Sequence, residues 1–291
     1  MPSFLRLLAA AGSAIVLAGP ALAQQADPPP APRIEVDPAA LDRDTITIGG
    51  GAGLVPSYEG SNDYVVIPVG AVRGRVNGFN FMSRGLQLSA DLLREKPTSS
   101  IDLMAGPVAS LNLNRTGRIV DPRVRALGKR KVALELGGYV GIGKTGVITS
   151  AYDNLAVRVS YVRDVTGVHD SYLLTPSIEY GTPLSRRVYV GLGVSATLVG
   201  DRYAQNYFAV DAAGAARSGL PVFAQPRGGV KNYTGTLLAS YALSGDLLHG
   251  VQLFTIISYS RLQGDFARSP LTSVAGNPNQ VYGAVGIGYT F

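Results

Sequence analysis

The 291-residue chain contains no cysteine, so neither disulfides nor thiolate metal sites can hold it together. Charge is sparse as well, with Asp, Glu, Lys and Arg making up 16% of residues against ~25% in soluble domains. No stretch after the amino terminus approaches the ~18 consecutive apolar residues of a spanning helix, which excludes a helical inner-membrane protein. His169 and His249 are the only histidines, too distant from each other to supply a metal-ligand spacing. A phosphate-cradling glycine motif leading from strand into helix is missing too. The expectation is therefore no metal, no cofactor and no nucleotide.

What is present points to export and to strands. Arg6 precedes an apolar run from Leu7 to Leu17, and Ala21-Leu22-Ala23 follows Pro20. That pattern predicts a signal peptide over residues 1–23, cleaved before Gln24. An exported protein has no nucleic-acid partner to meet. Residues 24–44 carry Pro28, Pro29, Pro30, Pro32 and Pro38. Proline removes backbone donors, so this segment is expected to be a periplasmic leader without regular pairing.

From Thr45 to Phe291 the signal is period two. Val281, Val285, Ile287, Tyr289 and Phe291 alternate with small or polar residues, and so do Leu155, Val157, Val159 and Tyr161. Successive strand side chains point to opposite faces, so each segment has one greasy face and one small or polar face. Such a strand could end a sandwich, but at the end of a chain it would leave an exposed apolar edge. Closure onto the first strand removes that edge and turns the greasy face to lipid. The reading is all-β: a closed antiparallel transmembrane β-barrel of the outer membrane. About eleven segments can be counted; single-chain barrels take even numbers, which gives twelve strands, with ten as the alternative. The division is least clear between Tyr64 and Leu93, where Pro68 or Asn77-Gly78 could split a long strand. No helical period of useful length follows the signal peptide. Tyr289 and Phe291 are expected to form the signal read by the barrel-insertion machinery.

Several side chains invite a chemical reading. His169-Asp170-Ser171 brings imidazole, carboxylate and hydroxyl together, the ingredients of a serine hydrolase. Neighbours on an extended chain point apart, however, and a turn explains the segment without catalysis. Glu135, Arg158 and Glu179 lie on polar strand faces and are expected in the lumen, where they would either pair or line a pore. Gly49, Gly50, Gly51 and Gly53 fall inside a strand and are expected to ease packing in the wall. Arg115, Arg118, Arg123, Arg125, Lys129 and Arg130 in the long link 112–130, with Lys131 just after it, face a single Asp121. That loop is either a solvated surface or a contact for lipopolysaccharide phosphates.

Three fragments together resemble the MltA-interacting protein (MipA)/OmpV family of outer-membrane proteins. They are Pro56-Ser57-Tyr58-Glu59-Gly60-Ser61, Gly200-Asp201-Arg202-Tyr203 with Tyr207-Phe208, and Ser269-Pro270 ahead of Gly288-Tyr289-Thr290-Phe291. Ala209 stands where the family usually has glycine, and the basic loop is unlike typical members. In physical terms Tyr58 and Tyr64 suit an interfacial aromatic girdle, and Asp201-Arg202 suits an ion pair ordering a loop. The resemblance implies a non-enzymatic barrel that binds partners, among them a lytic transglycosylase and a peptidoglycan synthase. A small-solute channel and a surface barrel for adhesion or stress response are the alternatives, with a lipid-modifying enzyme less favoured.

Overall fold

The computed structural model describes residues 44–94 and 101–291. The signal peptide and nearly all of the leader expected from sequence lie outside these residues. Twelve antiparallel strands close into a barrel, with each strand beside its sequence neighbours and β1 beside β12. They are β1 (Thr45–Pro56), β2 (Tyr64–Val76), β3 (Phe79–Arg84), β4 (Gln87–Ala90), β5 (Ile101–Asn112) and β6 (Ala133–Thr145). The second half comprises β7 (Asn154–Asp164), β8 (Tyr172–Pro183), β9 (Val188–Val199), β10 (Gly229–Ala242), β11 (Gly250–Leu262) and β12 (Asn279–Thr290). At ~3.3 Å per residue and a ~40° tilt, a twelve-residue strand rises ~30 Å, enough to cross an outer membrane.

The alternation read from sequence sorts the two faces. Val281, Val285, Ile287 and Tyr289 are exposed on the outside of β12, while Gln280, Gly286, Gly288 and Thr290 are buried inside. Exposed Val157, Val159 and Tyr161 on β7 repeat the pattern. A band of exposed apolar side chains around a closed sheet is what hydrocarbon requires, and this is an outer-membrane barrel.

The β1–β12 seam explains its glycines. Gly49 pairs with Gly288 and Gly51 with Gly286, on the inward face. A Cβ on Gly51 would lie 2.1 Å from the Val285 carbonyl oxygen, and one on Gly286 would lie 2.4 Å from the Phe254 ring. Glycine is thus needed for the close approach of two backbones beneath an aromatic plate. Across the same seam, Thr47 and Thr290 share a 2.8 Å hydroxyl bond, and Phe291 donates its N–H to the Ile46 carbonyl at 2.9 Å.

Asn77-Gly78 splits the uncertain zone, and Pro68 does not. Asn77 (φ 52°) and Gly78 (φ 79°) both take left-handed conformations, the geometry of a two-residue hairpin turn. A further turn at Gly85-Leu86 divides the remainder into β3 and β4, which brings the count to twelve.

The three longest links, 113–132, 200–228 and 263–278, all lie on the rim opposite the start of β1 and the end of β12. This asymmetry assigns that rim to the cell surface and the other to the periplasm. The outer links contain five short helices, which the strand alternation did not anticipate. They are α1 (Pro122–Ala126), α2 (Asp201–Phe208), α3 (Ala212–Ser218), α4 (Gly264–Arg268) and α5 (Pro270–Ser273). Each has local signals. Asp121 caps α1, accepting from the Arg123 and Val124 amides, with Pro122 at the first position. Asp211 caps α3, which ends on left-handed Gly219, and Ser269 caps α5 ahead of Pro270. A run of four to eight residues is too short for a helical period to declare itself.

Candidate functional site: a capped polar cluster in the outer mouth

The outer loops fold together over the barrel and build a small core of their own. Tyr58, Ile119, Val124, Val210, Leu220, Leu271 and Ala275 form one buried cluster, drawn from four loops. A second cluster joins Tyr203, Tyr207, Phe208 and Phe266 to the tops of β9 and β11. Burying apolar area between loops stabilises them at about 25 cal/mol per Å², so this cap is a packed unit and not loose surface chain.

Beneath it lies a polar network. Lys231 Nζ is 2.6 Å from Glu59 Oε1 and 3.2 Å from the Tyr203 hydroxyl. That hydroxyl donates to Glu59 Oε2 at 2.9 Å, and Asn114 Nδ2 donates to the same oxygen at 3.2 Å. Asn112 Nδ2 bridges Glu135 Oε1 at 3.0 Å and the Tyr203 oxygen at 3.3 Å. Burial first, and the Glu59 charge second, hold the Tyr203 hydroxyl well above its ordinary pKa. It therefore stays protonated and able to donate.

Lys231 reaches this place through a defect in the ladder. Val230 pairs with Leu198 but Asn232 pairs with Thr197, so Lys231 is an extra residue. A bulge breaks strict alternation and re-aims a side chain. Both Lys231 and its neighbour Asn232 consequently bond to groups inside the barrel.

His169 closes the network on the other side. Its Nδ1 accepts the Ser171 N–H at 3.2 Å, which leaves Nε2 to carry the proton and donate to Glu135 Oε1 at 3.2 Å. Both ring nitrogens are occupied, and Asp170 is exposed. No serine–histidine–acid relay is assembled at this segment.

The remaining candidates divide sharply. Tyr58 is a correction: it is buried in the cap and not part of a girdle, its hydroxyl shared between the Leu271 and Ala275 carbonyls at 3.2 and 2.9 Å. Gly60 is left-handed (φ 97°) and gives its N–H to Gln280 Oε1 at 3.1 Å. Ser61 bonds Ser57 at 3.0 Å, with Pro56 closing β1 just before them. Asp201 does not order its loop through Arg202, which is exposed; it accepts from the Gly228 N–H at 2.7 Å instead. Ser269 donates to the Phe208 carbonyl at 2.7 Å. Fragments more than two hundred residues apart thus meet in one cap.

The basic loop is also only partly a solvated surface. Arg115 is 1% exposed and donates to the carbonyls of Tyr207 at 3.2 Å and Gly128 at 2.9 Å. Burial, together with neighbouring Arg130, lowers its guanidinium to about 10. Arg130 donates to the Asn206 carbonyl at 2.8 Å, and Arg123 pairs with Asp121 at 2.8 Å. Arg118, Arg125, Lys129 and Lys131 remain exposed.

Deeper in the lumen, Glu179 pairs with Arg84 at 2.8 Å. The pair joins β8 to β3, strands that are not neighbours, so it spans the interior. Arg158 lies 3.9 Å from the centre of the Tyr139 ring, a cation–π contact across adjacent strands. At the periplasmic rim, Tyr289 and Phe291 meet edge to face at 4.7 Å, with exposed His249 edge-on to Tyr289.

Sequence reasoning missed Asn112, Asn114, Lys231 and Gln280. Polar residues at strand ends give no hint of which loop will fold over them. A basic side chain beside an inward asparagine at the top of β10 was the one available sign of the bulge.

A closed twelve-strand cylinder with a greasy exterior and a loop-built cap defines the class: an integral outer-membrane β-barrel. Residues 48–291 match the family model described as MltA-interacting protein MipA, and the chain belongs to that family. Comparison with curated proteins gives no match. Among solved structures the chain is similar to the COG4313 outer membrane channel from Pseudomonas putida F1, at 13% identity and TM-score 0.45, covering 88% of this chain and 100% of that one. It is also similar to the CymD monoaromatic hydrocarbon channel, at 10% identity and TM-score 0.38 over 88% and 91% of the two chains. OmpT of Vibrio cholerae follows at 7% identity and TM-score 0.33, over 90% and 100%.

Proposed function

We propose that the protein is a non-catalytic outer-membrane scaffold that binds murein-remodelling enzymes from its periplasmic side and does not conduct solutes axially. The family description supports the partner class, since it names an interaction with MltA, which the family resemblance takes as a lytic transglycosylase; a peptidoglycan synthase is the natural second client. The observation that carries the non-conducting part is the Glu59–Lys231–Tyr203 cluster lying under a packed cap. An open pore leaves its charged side chains to water, whereas these are bonded to each other. The occupied nitrogens of His169 support a non-catalytic reading. Exposed Arg118, Arg125, Lys129 and Lys131 suit lipopolysaccharide phosphates as a second, lipid partner.

Affinity capture from detergent-solubilised envelopes tests the scaffold. Enrichment of murein hydrolases or synthases is expected, and their absence overturns it. In planar bilayers the purified barrel is expected to show no discrete conductance. Steady channels would favour the small-solute reading, and a lipid profile that changes with His169→Ala would favour a lipid-modifying enzyme.

A further inference from the structure

The barrel wall is incomplete on one side. β2 pairs with β1 from Tyr64 to Arg75, but with β3 only from Arg73 to Val76. One further bond runs from the Val72 N–H to Ser83 Oγ at 2.8 Å. From Tyr64 to Ala71, about 23 Å of strand at ~3.3 Å per residue, the β3-facing edge has no backbone partner among the described residues. The Val72 N–H points towards β3, so by period two the nitrogens of Gly70, Pro68 and Val66 point the same way. Pro68 therefore stands with its missing N–H on the open edge, the position sheets reserve for proline. Val66 is 71% exposed there.

Unpaired backbone groups do not persist against hydrocarbon; at membrane depth they occur where they line water or are covered by protein. The open edge lies in the outer half of the wall, where the lumen can supply that water.

The interior next to the gap is apolar, unlike the rest of the lumen. Ile67 and Val69 face inward and lie over Gly53, within 3.7 and 2.7 Å of where its Cβ would be. In register, Val69 stands opposite Gly51, Gly51 opposite Gly286, and Gly286 opposite Phe254. These pairings place Ile67, Val69, Phe254 and Ile256 along one apolar inward strip, with the Phe254 ring lying over Gly49 and Gly286, running from the open edge across four strands. At its foot, on the same face of β2, Arg73 projects into accessible space with no ion-pair partner among the described residues.

We propose that this gap is a lateral portal between the outer leaflet and the lumen, and that the apolar strip beside it takes a single-chain amphiphile with an anionic head, such as a long-chain carboxylate. The alkyl tail lies along Ile67, Val69 and Phe254, and the head pairs with Arg73. The loop cap over the axial mouth makes the side wall the route from the leaflet. This inference does not depend on the scaffold reading and can fail without it.

The test uses the full barrel in lipid nanodiscs with a sixteen-carbon fatty acid carrying a diazirine near its tail. Irradiation and peptide mapping are expected to place adducts on Ile67, Val69 or Phe254. The matching sixteen-carbon alcohol is expected to label these positions roughly tenfold less at equal concentration. Arg73→Gln should abolish that preference while keeping the alcohol's labelling, which shows that the variant is folded. Adducts confined to outward residues such as Val66 and Val285 overturn the portal, and an acid preference unchanged in Arg73→Gln overturns the head site. As a second measurement, the Val66 and Gly70 amides are expected to exchange with deuterium far faster than their seam counterparts. Protection equal to that of Gly286 would mean the edge is covered, and would also overturn the proposal.

Discussion

Lys231 on β10 and Glu59 in the first outer loop are 172 positions apart in the chain and meet at 2.6 Å inside the barrel mouth. The Tyr203 hydroxyl contacts both. One ion pair with a shared phenol thus ties a strand bulge, the β1–β2 loop and the β9–β10 loop into a single seal.

Lys231→Met removes the cation and leaves the Glu59 carboxylate without its ion-pair partner. Breaking a buried pair costs about 3–5 kcal/mol; the Glu59 side chain is one-quarter exposed, so about half of that is expected. The denaturant midpoint of the detergent-folded barrel should fall accordingly. Protease should cut the 200–228 loop sooner, and bilayers should show flickering conductance absent from the parent. The double variant with Glu59→Gln should recover part of the loss, because it removes the stranded charge.

Tyr58→Phe keeps the ring in the cap but strips the donor from two carbonyls. A cost of about 1–2 kcal/mol is expected, again read from the denaturant midpoint. The strands should be unaffected, so the folded band on unheated gels should persist. Amide exchange should quicken around Leu271 and Ala275.

Asp153 organises the periplasmic turn between β6 and β7. Loss of water around it pushes its carboxyl up, but the amides of Thr149, Val147 and Ile148 and the Tyr180 hydroxyl outweigh this and hold it below the usual carboxylate range. A depressed folded pKa stabilises above the unfolded value of ~3.9 and is lost only as pH falls through the lower folded value. Protection of the Val147 and Ile148 amides should therefore be the same, after correction for intrinsic exchange rates, at pH 7 and pH 5. Asp153→Asn should weaken it at both.

At the seam, Gly286→Val would drive side-chain atoms into the Phe254 ring and the Gly50 carbonyl. The fraction of chains reaching the heat-modifiable folded form should drop several-fold, whereas Val285→Ala, on the lipid face of the same strand, should assemble normally. Removing Phe291 should slow insertion in cells more than refolding in detergent, if that residue is read by the insertion machinery.

The two faces of the wall, the closure of β12 on β1 and the Asn77-Gly78 turn were legible in the sequence. Each depends on neighbours within a few positions: period two fixes which side chains share a face, and two left-handed residues fix a hairpin. The family fragments marked where the cap would be, with Tyr58, Glu59, Tyr203 and Ser269 all in it. Their partners were not legible. Whether Tyr58 sat in a girdle or in a core depended on Leu271 and Ala275, more than two hundred residues away. Arg115 looked like surface charge because nothing nearby in sequence reveals that the Tyr207 carbonyl will stand over it. The inward turn of Lys231 came from a one-residue slip against β9, and the bare edge of β2 from a hairpin that ends short. Local chain chemistry therefore determined a membrane cylinder, while contacts between distant loops and the register of individual strands decided that loops pack over its mouth and that the outer half of β2 goes unpaired on one side.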